Sequence, residues 1–452
     1  MYFVYSLVLT LGFLILAPRF LFDALRHGKY VAGFRERLGL LSPIQHNGQP
    51  VIWLHCVSVG ETQAARPLVG GIRERFPNHM LAVSTITLTG QNLAREVFKN
   101  QDAKVFYFPF DWPWTVRRAL SIVKPSVVLI METELWPGFL RECRAQQIPV
   151  AIVNGRLSEQ SFRRYRFIKG FISRVLQCLD LAIMQTGADA DRICRLGLEA
   201  NKISIAGNLK FDAGTMAVTE SLTEELRLRF NLDGSPLILA ASTHGPEERI
   251  ILEAFQQIRS ESGTRPRLMI APRHPERFAE VARLIRTFGL QWTSRTAPPA
   301  PGDWQCDVIL LDTIGELRAV YALASIVLVG GSIAKTGGHN ILEPAAVGAC
   351  IVTGAHTHNF GVIVNAFAKA GAIIQLPPMS DEEAGIELAN VFHELLANPQ
   401  RQQELGRRAK SLVEQNRGAT DITLRLLTPI LAPRSSAPEP GSRLTLQGTH
   451  NL

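Results

Sequence analysis

At 452 residues, with 46% apolar and 19% charged positions, the chain has material for two or three buried cores, which excludes a wholly disordered protein. Six cysteines without one C-x-x-C pair exclude a zinc ribbon and a disulfide-stapled secreted fold, and leave reduced, mostly buried thiols. A formal charge of +8 suits nucleic acid, an anionic membrane or a phosphorylated substrate, and its distribution decides among them.

The first 18 residues, MYFVYSLVLTLGFLILAP, are uncharged, and Arg19, Arg26, Lys29, Arg35 and Arg37 follow against only Asp23 and Glu36. With no basic start and no A-x-A-like cleavage site, the segment reads as a retained membrane anchor, not a signal peptide. The positive-inside rule then puts the rest of the chain on the cytoplasmic side. Its length is at the short end for spanning, so an interfacial insertion stays open, and a buried core helix is the plain alternative.

After the linker SPIQHNGQP (42–50), apolar runs alternate with amphipathic stretches such as AARPLVGGIRERF. VIWLHCVSV (51–59), MLAVSTI (80–86), VVLIM (127–131), PVAIVN (149–154) and LDLAIMQT (179–186) predict buried strands. Between the last two lies SFRRYRFIKGFISRV (161–175), five cations and four aromatics without an acid. That mixture suits a phospholipid surface or a solvated helix face with its aromatics turned inward, and no nucleic-acid motif accompanies it. The pattern then restarts with LILAAST (237–243), RLMIAPR (267–273), VILLDT (308–313), SIVLVGG (325–331) and CIVTG (350–354).

Strands alternating with helices predict an α/β fold of two doubly wound halves joined around residues 210–235, with ligands at the carboxyl ends of the strands in the cleft between them. The divisions are an anchor and basic flank at 1–41, a first Rossmann-like domain at 42–212, a second at 213–431, and a Pro- and Ser-rich disordered tail at 432–452.

Polar residues gather where the strands end. Glu61 follows the first run, in WLHCVSVGET, where it suits either a helix start or catalysis. METELWPGF brings Glu132 and Glu134 to a strand end, and GNLKFD puts Lys210 near the junction. In the second half, GGSIAKTGGHNILEPAA reads as strand, glycine-rich loop and helix. Gly337 and Gly338 would let amides approach an anion, although Asn340 with Glu343 equally fits a capping box. APRHPER supplies Arg273 and His274, and DTIGEL supplies Glu316, which together describe a nucleotide site. His356 and His358 lack a third ligand at metal spacing and read as loop residues; His339 reads as a loop or donor support, and His55 as a satisfied core residue.

The runs HCVSVGET, METELWPGF, NGRLS, GNLKFD, STHGPEE, APRHPER, DTIGEL and GGSIAKTGGHNILEPAA, in this order behind an apolar N-terminus, resemble the Kdo (3-deoxy-D-manno-octulosonic acid) transferases over residues 1 to about 425. The resemblance implies a GT-B fold of two Rossmann-like domains. It implies inverting transfer of Kdo from CMP-Kdo to a lipid A precursor, at the cytoplasmic face of the inner membrane, for lipopolysaccharide core assembly. It also implies no metal and no cofactor, CMP-Kdo being a substrate. Carried over by position, the catalytic base falls on Glu61 and transition-state stabilisation on Glu132 and Lys210. The CMP contacts fall on Pro272, Arg273, Ile314, Gly315, Glu316, Asn340, Ile341, Leu342 and Glu343. The implied partners are CMP-Kdo, the lipid A precursor and the inner membrane, reached through the anchor and residues 161–175; nucleic acid is not among them. Two rivals stay open: a membrane-anchored nucleotide-sugar binding module without transferase activity, and another GT-B transferase or epimerase using a UDP donor.

Overall fold

The structure is a computed structural model, and it describes residues 1–27, 33–101, 103–213, 220–261 and 265–432. Lys29 of the basic flank and the expected tail from residue 433 onward lie outside the described residues.

Two seven-stranded parallel sheets carry the fold. The first contains β1 (Val51–His55), β2 (Met80–Thr85), β3 (Lys104–Tyr107), β4 (Val127–Met131), β5 (Val150–Gly155), β6 (Leu181–Met184) and β7 (Ile203–Ile205), in the order β3-β2-β1-β4-β5-β6-β7. The second contains β8 (Leu237–Thr243), β9 (Arg267–Pro272), β10 (Trp292–Ser294), β11 (Val308–Leu310), β12 (Ile326–Val329), β13 (Cys350–Thr353) and β14 (Ile374–Gln375), in the order β10-β11-β9-β8-β12-β13-β14. Both orders reverse direction beside their first strand, which opens a crevice at the carboxyl ends there. Central strands such as Val127–Met131 are buried at every position because helices cover both faces of the sheet. The two expected α/β halves are therefore present.

The predicted strand 51–59 is shorter than expected. It ends at His55, and Val59 and Gly60 already belong to the helix Val59–Arg75, whose N-cap is Ser58. The final helix, Ala419–Leu431, returns to the first half although the sequence groups it with the second. Leu424, Leu427 and Leu431 join the core of the first sheet, and Asp212 caps the helix by accepting from Gly418 N at 2.8 Å and Thr420 N at 2.6 Å. Gly71 makes room for the return, since a Cβ there would lie 2.3 Å from Leu424 Cδ1.

The N-terminal segment forms one helix, Tyr2–His27. Among the described residues no helix is long and apolar enough to cross a membrane. One side of the N-terminal helix lies on the first half: Tyr5 Oη donates to Asp111 Oδ2 at 2.8 Å, Trp112 Nε1 donates to Thr10 Oγ1 at 3.0 Å, and Tyr2 meets Phe171 edge-on. The other side presents Phe3, Val4, Leu7, Val8, Leu11, Leu14 and Ile15 to solvent, at the three-and-four spacing of a single helical face. The 161–175 segment adjoins it. Phe162 is buried and Phe171 packs on Tyr2 and Tyr5, whereas Phe167 is 89% exposed among Arg163, Arg164, Arg166 and Lys169.

Candidate active site

Glu61 is a helix-start residue and something more. It stands three residues after the N-cap Ser58, whose hydroxyl donates to Glu61 Oε1 at 2.9 Å, while Val57 N donates to Oε2 at 2.8 Å. At 6% exposure the carboxyl group is desolvated, and burial pushes its pKa from 4.5 up to about 8. The two hydrogen bonds oppose that rise, and the neighbouring charges of Glu132 and Glu134 reinforce it. A helix N-terminus alone would lower a carboxyl pKa, so the surroundings outweigh the dipole here.

Glu132 follows β4 with φ +55°, a left-handed conformation that a non-glycine residue seldom adopts. Lys210 Nζ lies 3.5 Å from its Oε1, and both side chains are largely shielded from water. Burial, then Glu132, raises the pKa of Glu134. The first half thus assembles three carboxyl groups with Lys210 as the countercharge. Asn154, also at φ +55°, fixes this geometry: its Oδ1 accepts from Leu209 N at 3.0 Å and ties the end of β5 to the loop carrying Lys210. Asn154, in NGRLS, was not among the residues expected at the site; its signal is a polar residue at the end of an apolar run.

In the second half the glycine-rich loop differs from expectation. Glu247 is buried beneath it and accepts from the amides of Gly331, Ser332, Ile333 and Ala334 at 2.8–3.1 Å and from His244 N at 3.0 Å. The anion in this nest of amides is the protein's own carboxylate. Gly338 N donates to Gly331 O, and a Cβ on Gly337 would collide with Asn359 and His358. These glycines let the loop pack on residues 356–359, and the Gly338 amide is engaged by Gly331 O.

No capping box forms at Asn340. Its Oδ1 accepts from Leu342 N at 3.0 Å, Ile341 is the N-cap, and the helix Leu342–Ala346 has only five residues. Glu343 pairs with Arg318 at 3.0 Å. Glu316 is held by Arg295 through contacts of 2.8 and 3.2 Å and by Thr313 Oγ1. Arg295 and Arg318 carry no signal in the sequence, because each is a single arginine outside the strand-end runs. Pro272 ends β9 and is buried, while Arg273 beyond it is exposed, with no partner among the described residues. Ile314 is 64% exposed beside Gly315, whose φ is +91°.

Three histidines meet between these loops. His244 and His339 lie nearly in one plane (7°), ring centroids 5.1 Å apart and Nε2 atoms 2.8 Å apart, so the nitrogens meet end-on. His274 stands edge-on to His244 at 5.2 Å. Burial, then His244, Arg273 and His274, depresses the His339 pKa to about 3, and burial with His274 lowers that of His244. The support expected of His339 is therefore a contact to His244. His55 differs from a satisfied core histidine: Nδ1 bonds Ser84, but Nε2 has no partner among the described residues.

A family model described as 3-deoxy-D-manno-octulosonic-acid transferase (kdotransferase) matches residues 32–213. The chain is 34% identical over 411 residues to the 3-deoxy-D-manno-octulosonic acid transferase of Bordetella pertussis, covering 90% of this chain and 91% of that protein. It is 32% identical over 403 residues to the enzyme of the same name from Haemophilus influenzae, covering 89% and 92%. Among solved structures, UDP-GlcNAc 2-epimerase from Neisseria meningitidis, bound to UDP-GlcNAc, superposes with a TM-score of 0.56 at 13% identity, covering 84% of this chain and all of that one. At that identity the likeness shows the fold alone.

Proposed function

Because the chain belongs to the Kdo transferases, glycosyltransferases of lipopolysaccharide core assembly, we propose that it moves Kdo from CMP-Kdo to a lipid A precursor of the lipid IVA type. We further propose that Glu61 acts as general base in a single, inverting displacement on a GT-B scaffold. The observation that carries the base assignment is a carboxyl group buried at a strand end, with its pKa pushed to about 8. A sugar hydroxyl is a poor nucleophile at neutral pH. A carboxylate of raised basicity within hydrogen-bond reach takes its proton as the oxygen attacks the anomeric carbon. The bond from that carbon to the phosphate oxygen breaks, and its electron pair leaves with CMP. Attack from the face opposite the leaving group inverts the centre. Lys210 beside Glu132, and Arg273, which has no partner among the described residues, are cations available to the charge that develops.

The apolar face of the N-terminal helix and the exposed Phe167 with its arginines support a reading in which this side of the first half lies on the anionic cytoplasmic surface of the inner membrane. A helix resting along the domain favours interfacial insertion over spanning. The test is transfer from CMP-Kdo to a tetraacyl lipid A precursor, with products weighed by mass spectrometry. One Kdo mass increment or more is expected, no increment sinks the proposal, and UDP-sugars in parallel address the rival donor.

A further inference from the structure

A nucleotide donor brings a phosphate, and part of the glycine-rich loop is already occupied. The amides of residues 331–334 are bound to Glu247, and that of Gly338 to a carbonyl. The following helix is a single short turn, and the Asn340 side chain is engaged with Leu342 N and Glu343. Side chains beside the remaining amides can supply further donors.

The end-on contact between His244 and His339 is suited to that task. Two Nε2 atoms at 2.8 Å can hold one proton between them, because two N–H groups facing each other would repel. One ring donates while the other presents a bare lone pair. No hydrogen bond to either Nδ1 is present among the described residues, so no side chain or backbone group there fixes which tautomer either ring adopts. Such a pair is satisfied by itself, yet both nitrogens address one point in space. Around it stand Arg273 and His274 beyond β9 and Arg277 paired with Glu248, while Glu247 beneath is turned to the loop amides.

We propose that His244 and His339 form a phosphate clamp, in which an oxygen of the donor's phosphate enters between the two Nε2 atoms and accepts an N–H from each, with Arg273 as the countercharge. The contact widens by roughly 2 Å to admit an oxygen at hydrogen-bond distance from both nitrogens. The ring that held the bare lone pair shifts its proton from Nδ1 to Nε2 through solvent. Both imidazoles stay neutral, and the anion's charge is met by Arg273. The clamp rests on the nucleotide-donor reading above and adds the two residues that recognise the phosphate within it.

The test is calorimetric titration of the full-length protein in detergent with CMP and with cytidine, which lacks the phosphate. His244→Leu and His339→Leu are each expected to weaken CMP about 10-fold or more, the range for a hydrogen bond to a charged group. Cytidine affinity should stay within about twofold on the same scale. His244→Gln and His339→Gln, which keep an N–H near the position of Nε2, should recover part of the CMP affinity. Equal weakening of CMP and cytidine would mean that the pair only shapes the loop, and unchanged CMP affinity in the leucine variants would mean that the phosphate sits elsewhere. Either result overturns the clamp. UMP and uridine run in parallel: a phosphate-dependent loss seen only with uridine nucleotides retains the clamp and overturns the cytidine assignment, and no binding of any nucleoside monophosphate overturns both.

Discussion

Replacing Glu61 with glutamine keeps the side-chain shape and removes the ionisable group, and it should make the protein more stable while it slows transfer severely. The native carboxyl group titrates near 8 when folded against 4.5 when exposed. A group whose folded pKa is raised contributes stability that is fully present below the unfolded value and is lost as pH rises through the folded one. The folded protein keeps a proton that the unfolded chain releases from about pH 4.5 upward, so each pH unit between the two values removes about 1.4 kcal/mol. At pH 7 the native protein is therefore less stable than the variant by about 3 kcal/mol, against almost nothing at pH 4, and by about 4 to 5 kcal/mol at pH 9. For domains of this size that corresponds to a melting-temperature gap on the order of 5–10 °C at pH 7. The assay is thermal unfolding of both proteins in matched buffers at pH 5, 7 and 9, with initial transfer rates on the same samples. Transfer by the variant should fall by roughly 10² to 10⁴-fold, and the native rate should climb with pH up to about 8. Melting curves that stay parallel across the pH series would refute the raised pKa, and near-normal transfer by a folded Glu61→Gln would refute the base.

Three further outcomes are expected. Lys210→Met removes the cation 3.5 Å from Glu132 and should lower kcat by about 10²-fold or more with CMP affinity little changed; steady-state kinetics beside a CMP titration read this, and a change confined to KM would count against it. Leu7→Glu with Leu14→Glu places charge on the outward face of the N-terminal helix and should release the protein from anionic vesicles in a flotation assay. Its melting temperature should hold, because neither side chain packs inward; retained flotation would place membrane contact elsewhere. Gly71→Val drives a Cβ into Leu424 and should destabilise the protein by about 1–3 kcal/mol in denaturant titration. An unchanged midpoint would show that the C-terminal helix is not held closely there.

The sequence by itself determined the two α/β halves, because central strands covered on both faces must be continuous apolar runs, and VIWLH, VVLIM and LILAAST carry that mark without help from distant residues. It also determined the motif order and the place of Glu61 at a helix start, although the cap itself, Ser58, lay inside the run read as strand. It did not reveal β3, β7, β10 or β14, which lie at the edges of their sheets. An edge strand such as Trp292–Ser294 is short and half-buried, so no long apolar run announces it. Tertiary structure alone decided the return of Ala419–Leu431 to the first half, the closure of the glycine-rich loop on Glu247, and the meeting of His244 with His339. Each joins residues from about 85 to more than 200 positions apart. Local periodicity reports which face of an element is buried, and contacts across such separations leave no period to read. The dual character of Glu61 divides in the same way: its place at a helix start is local, whereas its raised pKa comes from burial and from carboxylates some 70 residues onward.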